Sequence, residues 1–157
     1  MRDLPRYAAY RFITSFCFGG FFNYLIVNLI KLHYGALRPH FFDICKPDWS
    51  KIDCSKYVTE FNCTRTSEKD IYYMESWRSF PSSHSGVSVF GMMLVIFYVQ
   101  ERYINRYRYQ NLIYPTIQAL CVYWAAYASI TRVRDHKHHP HDVIAGGLIA
   151  LIMVYCS

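Results

Sequence analysis

Four stretches of this chain carry no Asp, Glu, Lys or Arg: Phe12 to Ile30, Ser79 to Gln100, Tyr109 to Thr131 and Val143 to Ser157. Uncharged blocks of that length constrain the fold more than any other feature. A helix needs about 20 apolar residues, with roughly 17 to 25 as the working range, to cross a bilayer. The first and third blocks have that length and the second has it when it starts near Gly86. The last is shorter and stops inside a helix where the chain stops. Of the 157 residues, 53% are hydrophobic and only 18% are charged, against about 25% charged in an ordinary soluble domain, which rules out disorder and a coiled coil. The mean hydropathy of +0.03 hides the blocks, because polar loops average against apolar spans. The expected fold is all-α: an integral membrane helical bundle forming one domain over residues 1–157, with four spans near 12–30, 86–100, 109–131 and 143–157.

Successive loops alternate sides, so the long loop 31–80 and the polar loop 132–142 share one face of the membrane. Arg102, Arg106 and Arg108 form a compact basic cluster in the short loop on the other face. The basic residues of the long loop are interleaved with acidic ones, and long loops translocate largely regardless of charge. Asn62-Cys63-Thr64 is a glycosylation sequon. Cys45, Cys54 and Cys63 lie close together, as disulfide-forming cysteines do in an oxidising compartment. Three is odd, so their pairing stays open. Both features put the long loop on the extracellular or luminal side. Cys17, Cys121 and Cys156 fall within spans and read as small apolar packing residues, while Pro115 marks a kink or a first helical turn. The net charge of +6 is spread over span ends and loops rather than gathered on a soluble module, which argues against nucleic-acid binding. Met1 to Arg11 is polar and a full-length span follows it, so no cleavable signal peptide is visible.

Polar groups at membrane depth are costly and usually functional, and three clusters of them open onto the presumed outer face. These are Lys31 to Pro39, Pro81 to Gly86 and Thr131 to Asp142. Together they supply three fixed cations, several imidazoles and a carboxylate, a set suited to a phosphate ester. Lys31, Arg38 and Arg132 balance phosphoryl charge, the arginine forks adding bidentate hydrogen bonds. Ser82 and the amides opening the next helix add donors and a positive dipole end. His138 and Asp142 stand four apart, so on a helix start the carboxylate can hold one ring nitrogen and leave the other to attack phosphorus. His84, from another helix, can protonate the departing alkoxide.

These clusters resemble the three signature motifs of the type 2 phosphatidic acid phosphatase superfamily, and in particular its lipid phosphate phosphatase branch. Lys31 to Pro39 fits Lys, six residues, Arg-Pro. Pro81, Ser82 and His84 fit Pro-Ser-Gly-His, with Ser83 where glycine is usual. Arg132, His138 and Asp142 fit Ser-Arg, five residues, His, three residues, Asp, with Thr131 in place of serine. The resemblance implies a metal-independent phosphatase without cofactors, in which His138 forms a phosphohistidine, Asp142 orients it and His84 is the general acid. Lys31, Arg38, Ser82, Ser83 and Arg132 then bind the phosphate. It implies as substrates phosphatidate, lysophosphatidate, sphingosine 1-phosphate and ceramide 1-phosphate, hydrolysed on the extracellular or luminal face; the expected location is the plasma membrane, and the sequon makes Asn62 the expected glycosylation site. The implied partners are these lipids and the bilayer; a homo-oligomer is left open. The family has six spans, so the four here correspond to its last four, as in a fragment or a shortened member.

A competing reading keeps the fold as a lipid-binding or membrane scaffold whose motifs are remnants. A metal site at Asp135, His136, His138, His139, His141 and Asp142 is a third, but a membrane di-iron oxygenase needs more histidines and the cysteines lack zinc-ribbon spacing. Lys31 and Arg38 taken alone are also compatible with snorkelling anchors. His33, His40, Arg134, His136, Lys137 and His141 read as surface residues, and His139 is undecided. Tyr103, Tyr107 and Trp124 read as interfacial or packing residues.

Overall fold

A computed structural model describes residues 4–53, 55, 56, 58, 62–64, 71–104 and 112–157, with backbone alone at 4–6 and 102–104. Cys54, Arg106, Tyr107 and Arg108 lie outside the described residues, as do the side chains of Arg102 and Tyr103. The described chain is helical throughout its ordered elements: α1 (Leu4–Thr14), a π-helical turn (Ser15–Gly19), α2 (Gly20–Tyr34), α3 (Phe41–Cys45), a 3-10 turn (Trp49–Lys51), α4 (Ile71–Ser76), α5 (Ser83–Ile104), α6 (Ile113–Arg134) and α7 (Pro140–Cys156). Among the described residues, Tyr7–Tyr34 and Ser83–Glu101 are long and apolar enough to cross a membrane, and Pro140–Cys156 is a shorter apolar helix. In α6, tyrosines, Trp124 and Gln118 lower the hydropathy of an uncharged stretch. Its first turn holds Pro115, where the missing amide proton costs no helical hydrogen bond.

The first span runs on from α1 through the π turn into α2 and ends at Gly35, whose φ of +58° supplies the left-handed cap that a Cβ would resist. The long loop then folds over the end of the bundle. Cys45 and Cys63 are joined by a disulfide, and the Thr64 hydroxyl donates to the Lys46 carbonyl at 2.6 Å. Asn62 is exposed. Of the three span cysteines, Cys121 is buried, as its packing role requires, whereas Cys17 and Cys156 are exposed on the bundle surface.

Helix α5 is the central post, with α6 and α7 flanking it and α2 crossing it. At the end far from the long loop, Phe90, Leu94, Ala150 and Val154 form an apolar core against Phe12 and Met153. Near the long loop the buried residues become polar: Asn23, Lys31, Ser79, Ser82, Ser85, His138 and Asp142. Gly146 makes that end possible, because a Cβ there would run into the Ser82 carbonyl. With no side chain in the way, α7 comes close enough for Ser82 N–H to donate to the Asp142 carbonyl at 2.9 Å. The Ser85 hydroxyl donates to the Val143 carbonyl at 2.9 Å. Such small-residue contacts allow close helix approach in a bilayer.

Candidate active site

Helix α7 starts at Pro140, at a first-turn position that suits proline. Asp142 is therefore in the first turn, where a carboxylate is favoured by free amides and the helix dipole. It is fully buried, and its Oδ2 accepts from His139 N–H at 2.8 Å and from the Ser79 hydroxyl at 2.5 Å. Oδ1 is 3.1 Å from His141 Nε2 but lacks hydrogen-bond alignment. The loop before α7 folds back on the end of α6, the amides of Lys137 and His138 donating to the Arg132 carbonyl at 3.1 and 3.2 Å. His138 is thereby buried beside Asp142, with Nδ1 at 3.6 Å from Oδ2. The expected four-residue juxtaposition is present, although Ser79 takes the short hydrogen bond to the carboxylate.

Lys31 is buried in the last turn of α2, within electrostatic reach of Glu75, Arg38 and Asp142. Arg38 makes a 2.5 Å ion pair with Glu75 through Nη2, and its buried Nε has no hydrogen-bond partner among the described residues. Its backbone amide donates to the Ser76 carbonyl at 2.9 Å. Arg132 reaches Asp135 at 3.3 Å from the end of α6. His84 is exposed at the start of α5 and feels the charges of Arg132, Lys31, Arg38 and Lys137. Ser82 caps α5, its Oγ accepting from Ser85 N–H at 3.4 Å. The buried Ser83 Oγ has no hydrogen-bond partner among the described residues. All eight residues expected at the site thus stand at one end of the bundle.

Burial, together with the positive charges of Arg38 and Lys31, drives the His138 imidazole well below its ordinary pKa, to about 4, outweighing Asp142 and the Ser79 carbonyl. At neutral pH it is uncharged and has a ring lone pair to offer. Two neighbours were not visible in the sequence motifs. Ser79 stood inside an uncharged block, and Glu75 was one acid among many in the long loop. Nothing in their spacing marks them. His40, expected as a surface residue, and His139, left undecided, both tie the two loops together: His40 Nδ1 is 2.8 Å from the His136 carbonyl, and His139 Nε2 is 3.3 Å from that of Leu37.

A groove of about 670 Å³ opens beside this cluster, between the first span and α6. Ser83, His84 and Arg132 form its polar end, and Phe16, Val87, Gly91, Met92, Trp124 and Ala128 continue it along the bundle. Trp124, expected as an interfacial or packing residue, is one wall of it.

A buried imidazole beside a carboxylate, with Lys31, Arg38 and Arg132 at the same end of a bundle of apolar helices, defines a helical membrane protein with a charged site at one end. The chain belongs to the PAP2 superfamily, whose family model matches residues 12–157. It is similar to phospholipid phosphatase 2 of Bos taurus, 38% identical over 88% of this chain and 47% of the relative, and to that of Homo sapiens, 35% identical over 95% and 51%. It is also similar to phospholipid phosphatase 1 of Rattus norvegicus, 35% identical over 92% and 51%. The chain spans about half the length of the curated relatives it matches. No solved structure matches it.

Proposed function

We propose that this chain carries the catalytic half of a lipid phosphate phosphatase, hydrolysing phosphomonoesters of lipids such as phosphatidate, lysophosphatidate, sphingosine 1-phosphate and ceramide 1-phosphate. The observation that carries the reading is the neutral His138 beside buried Asp142, set among Lys31, Arg38 and His84 where an apolar groove begins. The groove takes the lipid tail and the cations take the phosphate. His138 Nε2 attacks phosphorus, an N–P bond forms, and the ester P–O bond breaks as His84 gives its proton to the lipid alkoxide. Water then attacks the phosphohistidine, His84 takes the water's proton, and the N–P bond breaks to release phosphate. Lys31, Arg38 and Arg132 neutralise charge on the equatorial oxygens in both steps. Ser82 and Ser83 at the α5 N-terminus supply further donors.

The Cys45–Cys63 disulfide and the exposed sequon at Asn62 support a site on the extracellular or luminal side, at the plasma membrane, with four spans and Asn62 glycosylated. Phosphate release from lysophosphatidate in micelles containing EDTA, compared with His138→Ala, tests the reading. Activity that survives EDTA and vanishes in the variant supports it. A folded protein with no activity supports the scaffold reading instead, and activity lost only to EDTA returns the histidine cluster to metal binding.

A further inference from the structure

Ser79 is fully buried at the floor of the site. Among the described residues its hydroxyl has two hydrogen-bonding neighbours, Asp142 Oδ2 at 2.5 Å and His138 Nδ1 at 3.4 Å. The direct distance from Nδ1 to Oδ2 is 3.6 Å, beyond hydrogen-bond length. The shortest connected path from imidazole to carboxylate therefore runs through Ser79 Oγ. A hydroxyl offers one proton and two lone pairs. The carboxylate is an acceptor only, so at 2.5 Å it takes the serine proton. Toward His138 the serine oxygen can then present only lone pairs. The backbone carbonyl of Ser79 also faces this imidazole, and it too only accepts. Every protein group identified around Nδ1 asks that nitrogen for a proton.

We propose that Ser79 is a positioning residue: its hydroxyl bridges Asp142 to His138 and fixes the imidazole as the Nδ1–H tautomer, leaving the Nε2 lone pair free for phosphorus. This rests on the reading of His138 as nucleophile. The serine is itself held in place, its amide donating to the Ala36 carbonyl at 2.8 Å, within the turn that leads from Lys31 to Arg38. The bridge thus joins the nucleophile and its orienting acid to the loop that supplies two of the phosphate-binding cations. Shifting that loop shifts the tautomer-setting hydroxyl with it.

The test uses the whole 157-residue chain in detergent micelles, with Ser79→Ala to remove the hydroxyl and Ser79→Thr to keep it. Thermal melts check that each variant is folded. Nitrogen NMR of histidine-labelled protein, assigned with a His138→Asn spectrum, reports which ring nitrogen is protonated. At neutral pH the unsubstituted protein shows His138 protonated on Nδ1, and Ser79→Ala shows a mixture of tautomers. On lysophosphatidate, Ser79→Ala lowers kcat by about 10- to 100-fold, the range for a hydrogen bond to a charged group. KM stays within about twofold, because phosphate binding is untouched. The acid limb of the rate profile moves to higher pH: Asp142, relieved of one donor, acts more strongly on His138 against Lys31 and Arg38, with His141 still beside Oδ1. Ser79→Thr restores kcat to within about threefold.

An unsubstituted His138 protonated on Nε2 would overturn the proposal, as would a Ser79→Ala protein with normal kcat and an unchanged tautomer. So would a threonine variant as slow as the alanine one with the acid limb unmoved. The spectrum requires no turnover. A chain without any activity would therefore count against the phosphatase reading, while the tautomer still decided the role of Ser79.

Discussion

Helix α5 has two unlike sides. Toward α7 it is shut: Ser82 and Ser85 hydrogen-bond to the backbone of Asp142 and Val143, and Gly146 leaves no room for a methyl group. Toward α6 and the first span it is open, with a groove between Phe16 and Trp124. In the proposed reaction the shut side holds the groups that act on phosphorus, and the open side takes the lipid tail. One helix can serve both demands because Ser85 and Gly86 make the close contacts on the α7 side, while Val87, Gly91 and Met92 line the other.

Replacing His138 with Ala should have the largest effect, a fall in kcat on the order of 10⁴-fold or more, measured as phosphate release. The same residue sets a pH limit. Its folded-state pKa lies below the unfolded value of about 6.5, so the stability it contributes is fully present above that unfolded value. It is lost as pH falls through the window down to about 4. Thermal melts should show the loss between those limits, and His138→Gln should flatten it.

Gly146→Ala strikes the shut side. The added methyl meets backbone rather than a flexible side chain, so α7 must move, at a cost of about 1 to 3 kcal/mol. A lowered melting temperature together with a loss of kcat on every substrate would match; a neutral substitution would show that the two helices are less tightly joined than described. Gly91→Leu strikes the open side. A Cβ at Gly91 meets Phe16 only at ordinary contact distance, 3.7 Å, so the larger side chain fills the groove without displacing backbone. KM for long-chain lipid phosphates should rise about tenfold, while a short-chain phosphomonoester is barely affected. Equal losses on both substrates would mean that the groove does not hold the tail.

The smallest effect belongs to the loop. Replacing Cys45 and Cys63 with serine removes a link that spans 18 residues of sequence, worth roughly 3 kcal/mol in the chain-entropy picture. Among the described residues, hydrogen bonds around the bridge run to Lys46 and Tyr73, and those of His138 and Asp142 run to Ser79, Ser82, His139 and Arg132, so kcat should change less than about threefold. A larger change would place the loop in the catalytic assembly.

That the eight candidate residues would stand together at one end of the bundle was legible from the spacing of the three motifs and from where each cluster falls at a span end. The long uncharged blocks likewise announced the helices, although α2, α5 and α7 each extend past the apolar run into the polar cluster that follows or precedes it. Ser79 and Glu75 were not legible: serine and glutamate are ordinary loop residues, and their roles come from contacts across 63 and 37 positions of sequence. The pairing of Cys45 with Cys63 was equally a matter of loop geometry. Cys17 and Cys156 misled because an apolar segment does not state which of its faces packs.

The π-helical turn at Ser15–Gly19 works as a phase shifter in the first span. A turn of that kind takes up one residue more than its α-helical equivalent, which re-indexes everything downstream by about 100°. Beyond it, Asn23, Val27 and Lys31 share the buried face of α2. Deleting a single residue within the turn would rotate α2 about its axis and turn Lys31 away from the buried face without altering any motif. The angular address of Lys31, the cation proposed to meet the phosphate, is thus written well upstream of it.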